Sequence, residues 1–352
     1  MSRKATFLLF IIFLSISMLM FVSGCRDYIP FIAEEKEKKE PPSPEETMPE
    51  DEDEMDEKEE IPEDMLPITV YFLEGKGRYL IPVTIPISWT ESVGQASVDK
   101  LIEGPTPAQE MRFGFTSPVP PTAEVKGLNI REGLARINLS SSFLEYDPGE
   151  EREVLDSVIF TLQQFPTVDE VEFLIEGEVI EEFPGGTPGG ITFTEERGVN
   201  LEVEEDIDLD DSRQVVLYFC VPLGEENIFY VPVTRVVDGE ENNIEAALRE
   251  LLEGPAPESG LFSDIPPRTQ VQDISLKEGK LQVDFSQEIL EYQGGRTGEE
   301  NIKQQLVLTL TEIDQVETVH ILIEGEERIL PEGTSLEDPL RRPEVVNYLP
   351  AD

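Results

Sequence analysis

Apolar and polar residues alternate at Ile68, Val70 and Phe72, and a glycine turn then leads into an apolar run from Tyr79 to Ile87, which predicts two strands. A helix is expected next. In the second half of the chain Ile244, Ala247, Leu248, Leu251 and Leu252 fall at i, i+3, i+4, i+7 and i+8, on one helical face, and Val98, Leu101 and Ile102 keep that stripe in the first half. Glu103-Gly104-Pro105 and Glu253-Gly254-Pro255 close the two helices. Their local cause is structural: glycine accepts the left-handed C-terminal position and proline prevents continuation. Two strands are predicted over 123–130 and 134–139, then a helix from about Glu151 to Phe165 and a last strand from Val171 to Ile175. The second helix carries Val154, Val158, Ile159, Leu162 and Phe165, which recur as Ile302, Leu306, Val307, Leu310 and Ile313.

This recurrence runs through the chain in order. Val70-Tyr71-Phe72 answers to Leu217-Tyr218-Phe219, and Tyr79-Leu80-Ile81-Pro82-Val83-Thr84 to Phe229-Tyr230-Val231-Pro232-Val233-Thr234. Pro120-Pro121 matches Pro266-Pro267, Phe143-Leu144-Glu145-Tyr146 matches Ile289-Leu290-Glu291-Tyr292, and Leu174-Ile175-Glu176-Gly177 recurs as Leu322-Ile323-Glu324-Gly325. A period of roughly 150 residues is too long for a solenoid and predicts two whole domains, each large enough for its own core. The expected class is α+β, two tandem two-layer α/β sandwiches with the helices on one face of a mixed sheet. Domain one is placed at 67–184, an acidic linker with glycine and proline at 185–212, domain two at 213–334 and a tail at 335–352.

Ahead of the repeats, Ser2, Arg3 and Lys4 precede an apolar stretch from Phe7 to Val22 that ends in Val22-Ser23-Gly24-Cys25. Small residues before a cysteine fit a lipoprotein signal peptide over 1–24, cleaved between Gly24 and Cys25, with Cys25 lipidated. The alternative is an uncleaved helix, just short of the roughly 20 residues that span a bilayer. Acyl chains contribute roughly 0.8 kcal/mol per buried methylene, so two or more anchor stably. The expected location is extracytoplasmic, held to the cell membrane.

Charge removes one class of partner. With 27 Lys plus Arg against 75 Asp plus Glu and a net charge of -48, a nucleic acid is excluded, because phosphate contacts need cations. Much of the acid lies between Glu34 and Asp64, a stretch with five prolines and no aromatic residue, so 25–66 is expected to be a disordered tether. It serves as a stalk or as a passive solubilising spacer. Cys25 and Cys220 are the two cysteines, so lipidation of the first leaves no intramolecular disulfide.

Catalytic chemistry finds little support. His320 is the single histidine, on the last strand of copy two, and its counterpart is Glu172, which argues for a surface position. Cys220 aligns with Leu73 in an apolar strand and is read as a small hydrophobe. Asp206, Asp208 and Asp210 begin like a calcium loop, but Asp211 stands where its glycine is needed and Leu217 where its closing glutamate would fall. No catalytic residue, metal site or cofactor is assigned.

The Tyr-x-x-Pro-Val-Thr and Tyr-Val-Pro-Val-Thr strands, the Glu-Gly-Pro helix ends, the double prolines and the Leu-Ile-Glu-Gly stretches together resemble a tandem pair of GerM-type (GerMN) domains, over 68–177 and 215–325. That family is named for a lipoprotein of sporulation and germination. The resemblance implies a fold similar to ring-building domains that assemble side by side in the channel between mother cell and forespore, and it brings no catalytic residue. The leading expectation is therefore a non-catalytic scaffold that contacts envelope or sporulation channel proteins or further copies of itself. The alternative is a lipoprotein that binds peptidoglycan or a solute between its two domains.

Overall fold

The structure, a computed structural model, describes residues 61–203, 212–225, 227–239 and 241–350. The expected signal peptide, Gly24, Cys25, nearly all of the tether and the acidic run 204–211 lie outside the described residues. Among the described residues no helix is long and apolar enough to cross a membrane.

Each copy opens with an antiparallel hairpin. β1 (Met65–Leu73) pairs with β2 (Leu80–Ser88), setting Tyr71 opposite Pro82, and β6 (Ser212–Leu223) pairs with β7 (Asn227–Asp238), setting Tyr218 opposite Pro232. Helices α1 (Val93–Glu103) and α4 (Asn243–Glu253) follow, and Gly104 and Gly254 end them at φ of 76° and 91°, as the Glu-Gly-Pro reading requires. Copy one adds a short helix that the periodicity does not show, α2 (Pro107–Phe113). It starts in a capping box, in which Thr106 accepts from the Gln109 N–H while the Gln109 side chain accepts from the Thr106 N–H.

A three-stranded mixed sheet completes each copy. β4 (Gly133–Leu139) is antiparallel to β3 (Val125–Arg131) and parallel to β5 (Val168–Ile175), with α3 (Glu151–Gln163) as the crossover. Copy two repeats this with β8 (Val271–Lys277), β9 (Lys280–Phe285), α5 (Gly295–Leu310) and β10 (Thr318–Ile323).

The class is α+β and the tandem organisation is as read from the repeat. Within each copy, helices and mixed sheet make the two-layer sandwich, while the hairpin is a separate ribbon and not part of that sheet. It covers the other side of the helices. From Val154 to Leu162 every residue of α3 is buried, which one face against one sheet would not produce. The ribbon is fastened by a side chain of the helix beneath it: the Tyr71 N–H donates to Thr161 Oγ1 at 3.1 Å and the Tyr218 N–H to Thr309 Oγ1 at 3.0 Å. Both groups are buried, so each bond removes an orphan donor that would cost about 1–3 kcal/mol.

Two further differences concern how the copies join. A separate core for each copy was expected, but one apolar cluster runs through both, and both lie in a single compact unit, Glu57–Asp352. Nor do the described parts of 185–212 and 335–352 behave as linker and tail. Phe193 and Leu340 bridge to Val171 on β5 and to Val319 on β10, and both segments then cross to the opposite copy.

Candidate functional site

The crossing segments define the seam between the copies. Residues 193–202 leave copy one and reach β7 of copy two, where the Thr234 N–H donates to Val199 O at 3.0 Å and the Glu202 N–H to Thr234 O at 2.8 Å. Residues 340–349 leave copy two and reach β2 of copy one in the same way, with the Leu349 N–H donating to Thr84 O at 2.8 Å. Each copy is thus strapped by the other's trailing chain.

One asparagine centres each strap. Asn200 Oδ1 accepts from the Leu80 N–H at 2.8 Å, and its Nδ2 donates to Leu80 O at 2.8 Å and Pro232 O at 2.7 Å. Asn347 mirrors it: Oδ1 accepts from the Tyr230 N–H at 2.8 Å, and Nδ2 donates to Tyr230 O and Pro82 O, both at 2.8 Å. Their φ values are 48° and 54°, a left-handed conformation that asparagine tolerates better than most residues. The Pro-Val-Thr motif takes its meaning from this contact. Proline has no N–H to leave unpaired on the open edge of the ribbon, its carbonyl receives the asparagine, and the threonine two residues on receives the strap.

A buried carboxylate fixes the start of each strap. Glu151 accepts from the Thr187 N–H at 2.9 Å, from the Gly185 N–H and from the Tyr146 hydroxyl at 3.1 Å. Glu299 accepts from the Glu332 and Thr334 N–H groups at 2.6 and 3.0 Å and from the Tyr292 hydroxyl. Burial alone would raise both carboxyls, but these donors outweigh it and hold both below the usual carboxylate range.

Across the seam β2 packs on β7. At one end Phe229 meets Phe113 and Phe115 edge-on, with ring centroids 5.4 and 5.1 Å apart. Beyond the straps lies a cleft of about 750 Å³, whose walls include Tyr71, Phe160, Glu195, Thr234, Glu312 and Asp314. Tyr218 stands in it too, its hydroxyl receiving Arg342 Nη2 at 2.7 Å, and burial pushes the Tyr218 and Tyr71 phenols up. Glu195 is also raised, by burial first and then by Asp314, Glu312, Glu196 and Asp169.

Cys220 and His320 lie apart from this seam cleft. Cys220 is a free, buried thiol in β6; burial and Asp264 push it up, which leaves no thiolate for attack. His320 sits on β10, partly exposed, with Nε2 3.0 Å from Glu327 Oε1 but outside hydrogen-bond geometry. Among the described residues no three His, Cys, Asp or Glu side chains converge as a metal site. The straps escaped the sequence reading because their contacts are single residues and isolated bridges, which produce no period. Their one visible signal was the recurrence of asparagine, 147 positions apart, at Asn200 and Asn347.

Two ribbon-covered helix-and-sheet copies, joined through exchanged straps, describe a tandem α+β protein. The chain belongs to the Germane family, described as sporulation and spore germination, whose model matches residues 69–181 and 216–329. It is similar to the spore germination protein GerM of Bacillus subtilis (strain 168), with 30% identity over 282 residues, 78% of this chain and 77% of that protein. The solved structure of the tandem GerMN domains of the sporulation protein GerM from Bacillus subtilis is 29% identical and covers 81% of this chain and 99% of that chain, with a TM-score of 0.72.

Proposed function

We propose that the protein is a non-catalytic scaffold of sporulation or germination, held outside the cell membrane by a lipid on Cys25. The observation that carries this reading is the strapped pair of copies. Reciprocal straps make two small domains into one body, and that body presents two similar mixed sheets whose edge strands β3 and β8 have, among the described residues, no strand partner on their outer side. Similar surfaces repeated on one body suit assembly, since a contact between unlike faces closes into rings or grows into filaments. Family membership supports the process, and the Val22-Ser23-Gly24-Cys25 sequence supports the anchor.

The test is fractionation and cross-linking in a sporulating host. The protein is expected in the membrane fraction, in cross-linked species larger than one chain, and Cys25→Ala should release it. A water-soluble protein with an unmodified Cys25 would overturn the anchor. A membrane-bound protein that yields no cross-linked species at any stage of sporulation would overturn the scaffold.

A further inference from the structure

Tyr71 and Tyr218 are equivalent positions with different neighbours. Over Tyr218 the strap of copy two places Arg342, its guanidinium carbon 5.3 Å from the ring centroid and its Nη1 2.7 Å from Glu312. Aligned on Asn200 and Asn347, the strap of copy one has Glu195 where the other has Arg342. The charged groups that raise Glu195 are Asp314, Glu312, Glu196 and Asp169, and among the described residues one cation, Arg213, also lines the cleft. Arg342 donates to the Tyr218 hydroxyl and also acts on Tyr71, while the place in the strap of copy one that corresponds to Arg342 holds a carboxylate.

A second pair of equivalent residues differs in the same direction. The Thr84 hydroxyl donates to Val346 O at 2.9 Å and accepts from the Val346 N–H at 3.3 Å. Thr234, 1% exposed, has no hydrogen-bond partner for its Oγ1, and it lines the cleft that Glu195 and Asp314 flank. A buried hydroxyl is seldom left unpaired, and a ligand group in the cleft would satisfy it. The cleft of about 750 Å³ is within the usual range of small-molecule sites, and Tyr71 and Phe160 give it an apolar wall.

We propose that the cleft between the copies binds a small aliphatic cation, a guanidinium or alkylammonium group held between Glu195 and Asp314 with its chain against Tyr71 and Phe160 and a polar atom at Thr234. The occupant of the equivalent place, Arg342, shows the chemistry that fits: a planar guanidinium beside a tyrosine and a carboxylate. The proposal does not depend on the lipid anchor or on assembly.

Calorimetric titration of the full chain in detergent with agmatine, which has a guanidinium at one end and an ammonium at the other, tests this. Saturable one-to-one binding is expected, with 1,5-diaminopentane also binding and uncharged 1,5-pentanediol failing to bind. Glu195→Gln, Asp314→Asn and Thr234→Val should each weaken agmatine roughly threefold to tenfold. Asp314 is exposed in the turn after α5, so its variant keeps the test valid if a buried variant misfolds. Glu124→Gln, at an exposed carboxylate paired with Lys126 on another face, should change nothing. Absence of saturable binding, or an equal loss with Glu124→Gln, would overturn the proposal, the latter by showing diffuse attraction to an acidic surface.

Discussion

The two copies meet the same fold with different means, and the seam is where they diverge. Copy one spends residues 107–113 on helix α2, which supplies Phe113 and sets Gln109 to donate to Pro350 O at 2.9 Å, at the end of the strap from copy two. Copy two has no helix there and instead extends its hairpin to 12 residues per strand against 9. At one end of the seam Phe229 packs among aromatic rings. At the other its counterpart Tyr79 is half-buried and faces Ser259, where copy one has Phe113. The difference teaches that the copies have become complementary: the strap of copy two is clamped by apolar and hydrogen-bonded contacts, while the strap of copy one borders the acidic cleft.

The largest test of this asymmetry is at the aromatic end. Phe229→Ala should destabilise by about 3–5 kcal/mol, and Tyr79→Ala by clearly less, because Tyr79 is only partly removed from water. Urea midpoints of the two variants measure the gap, and equal losses would remove the asymmetry.

The straps come next. Asn347→Ala leaves the Tyr230 N–H and two carbonyls without their partner and puts alanine at a positive φ, so a loss of about 3 kcal/mol is expected, and about the same for Asn200→Ala. Because the bonds cross, hydrogen exchange should quicken in β2 of copy one when the substitution is in the chain of copy two.

The buried carboxylates give the smallest effect. Glu151 and Glu299 have folded values below their unfolded ones, so the stability they contribute is present above the ordinary carboxylate range and is lost as pH falls through and below it. Asp156, raised by burial despite Arg197 and Arg152, works in the opposite sense. Glu151→Gln should lower stability at neutral pH by about 2 kcal/mol and flatten its fall on acidification, with Glu299→Gln doing the same. Melting temperatures between pH 7 and pH 3 check this, and an unflattened acid limb would contradict it.

Much of this architecture was legible before the structure. The strands from Ile68 and Tyr79, the stripe of Val98, Leu101 and Ile102, and the helix from Glu151 all rest on periodic burial, and periodic burial is what forms them. The ribbon's separation from the mixed sheet was hidden because an alternating strand records that one face is buried and not what covers it. α2 was hidden by its 7 residues, too few for a period. The straps were hidden by composition, since the glycines and prolines of 184–190 shape a turn that Glu151 anchors as readily as they would a linker. Nothing in local patterning could bring Glu195, Thr234 and Asp314 to one cleft, because they come from three segments of two copies.

The central claim is that exchanged straps make the two copies one cooperative unit. Hydrogen exchange of the β2 and β7 amides, followed through a urea titration, measures it most directly. Both strands should open with the same free energy and the same urea dependence, equal to those of global unfolding. If β7 stays protected through a range of urea in which β2 has already opened, the copies are independent domains and the straps do not join them.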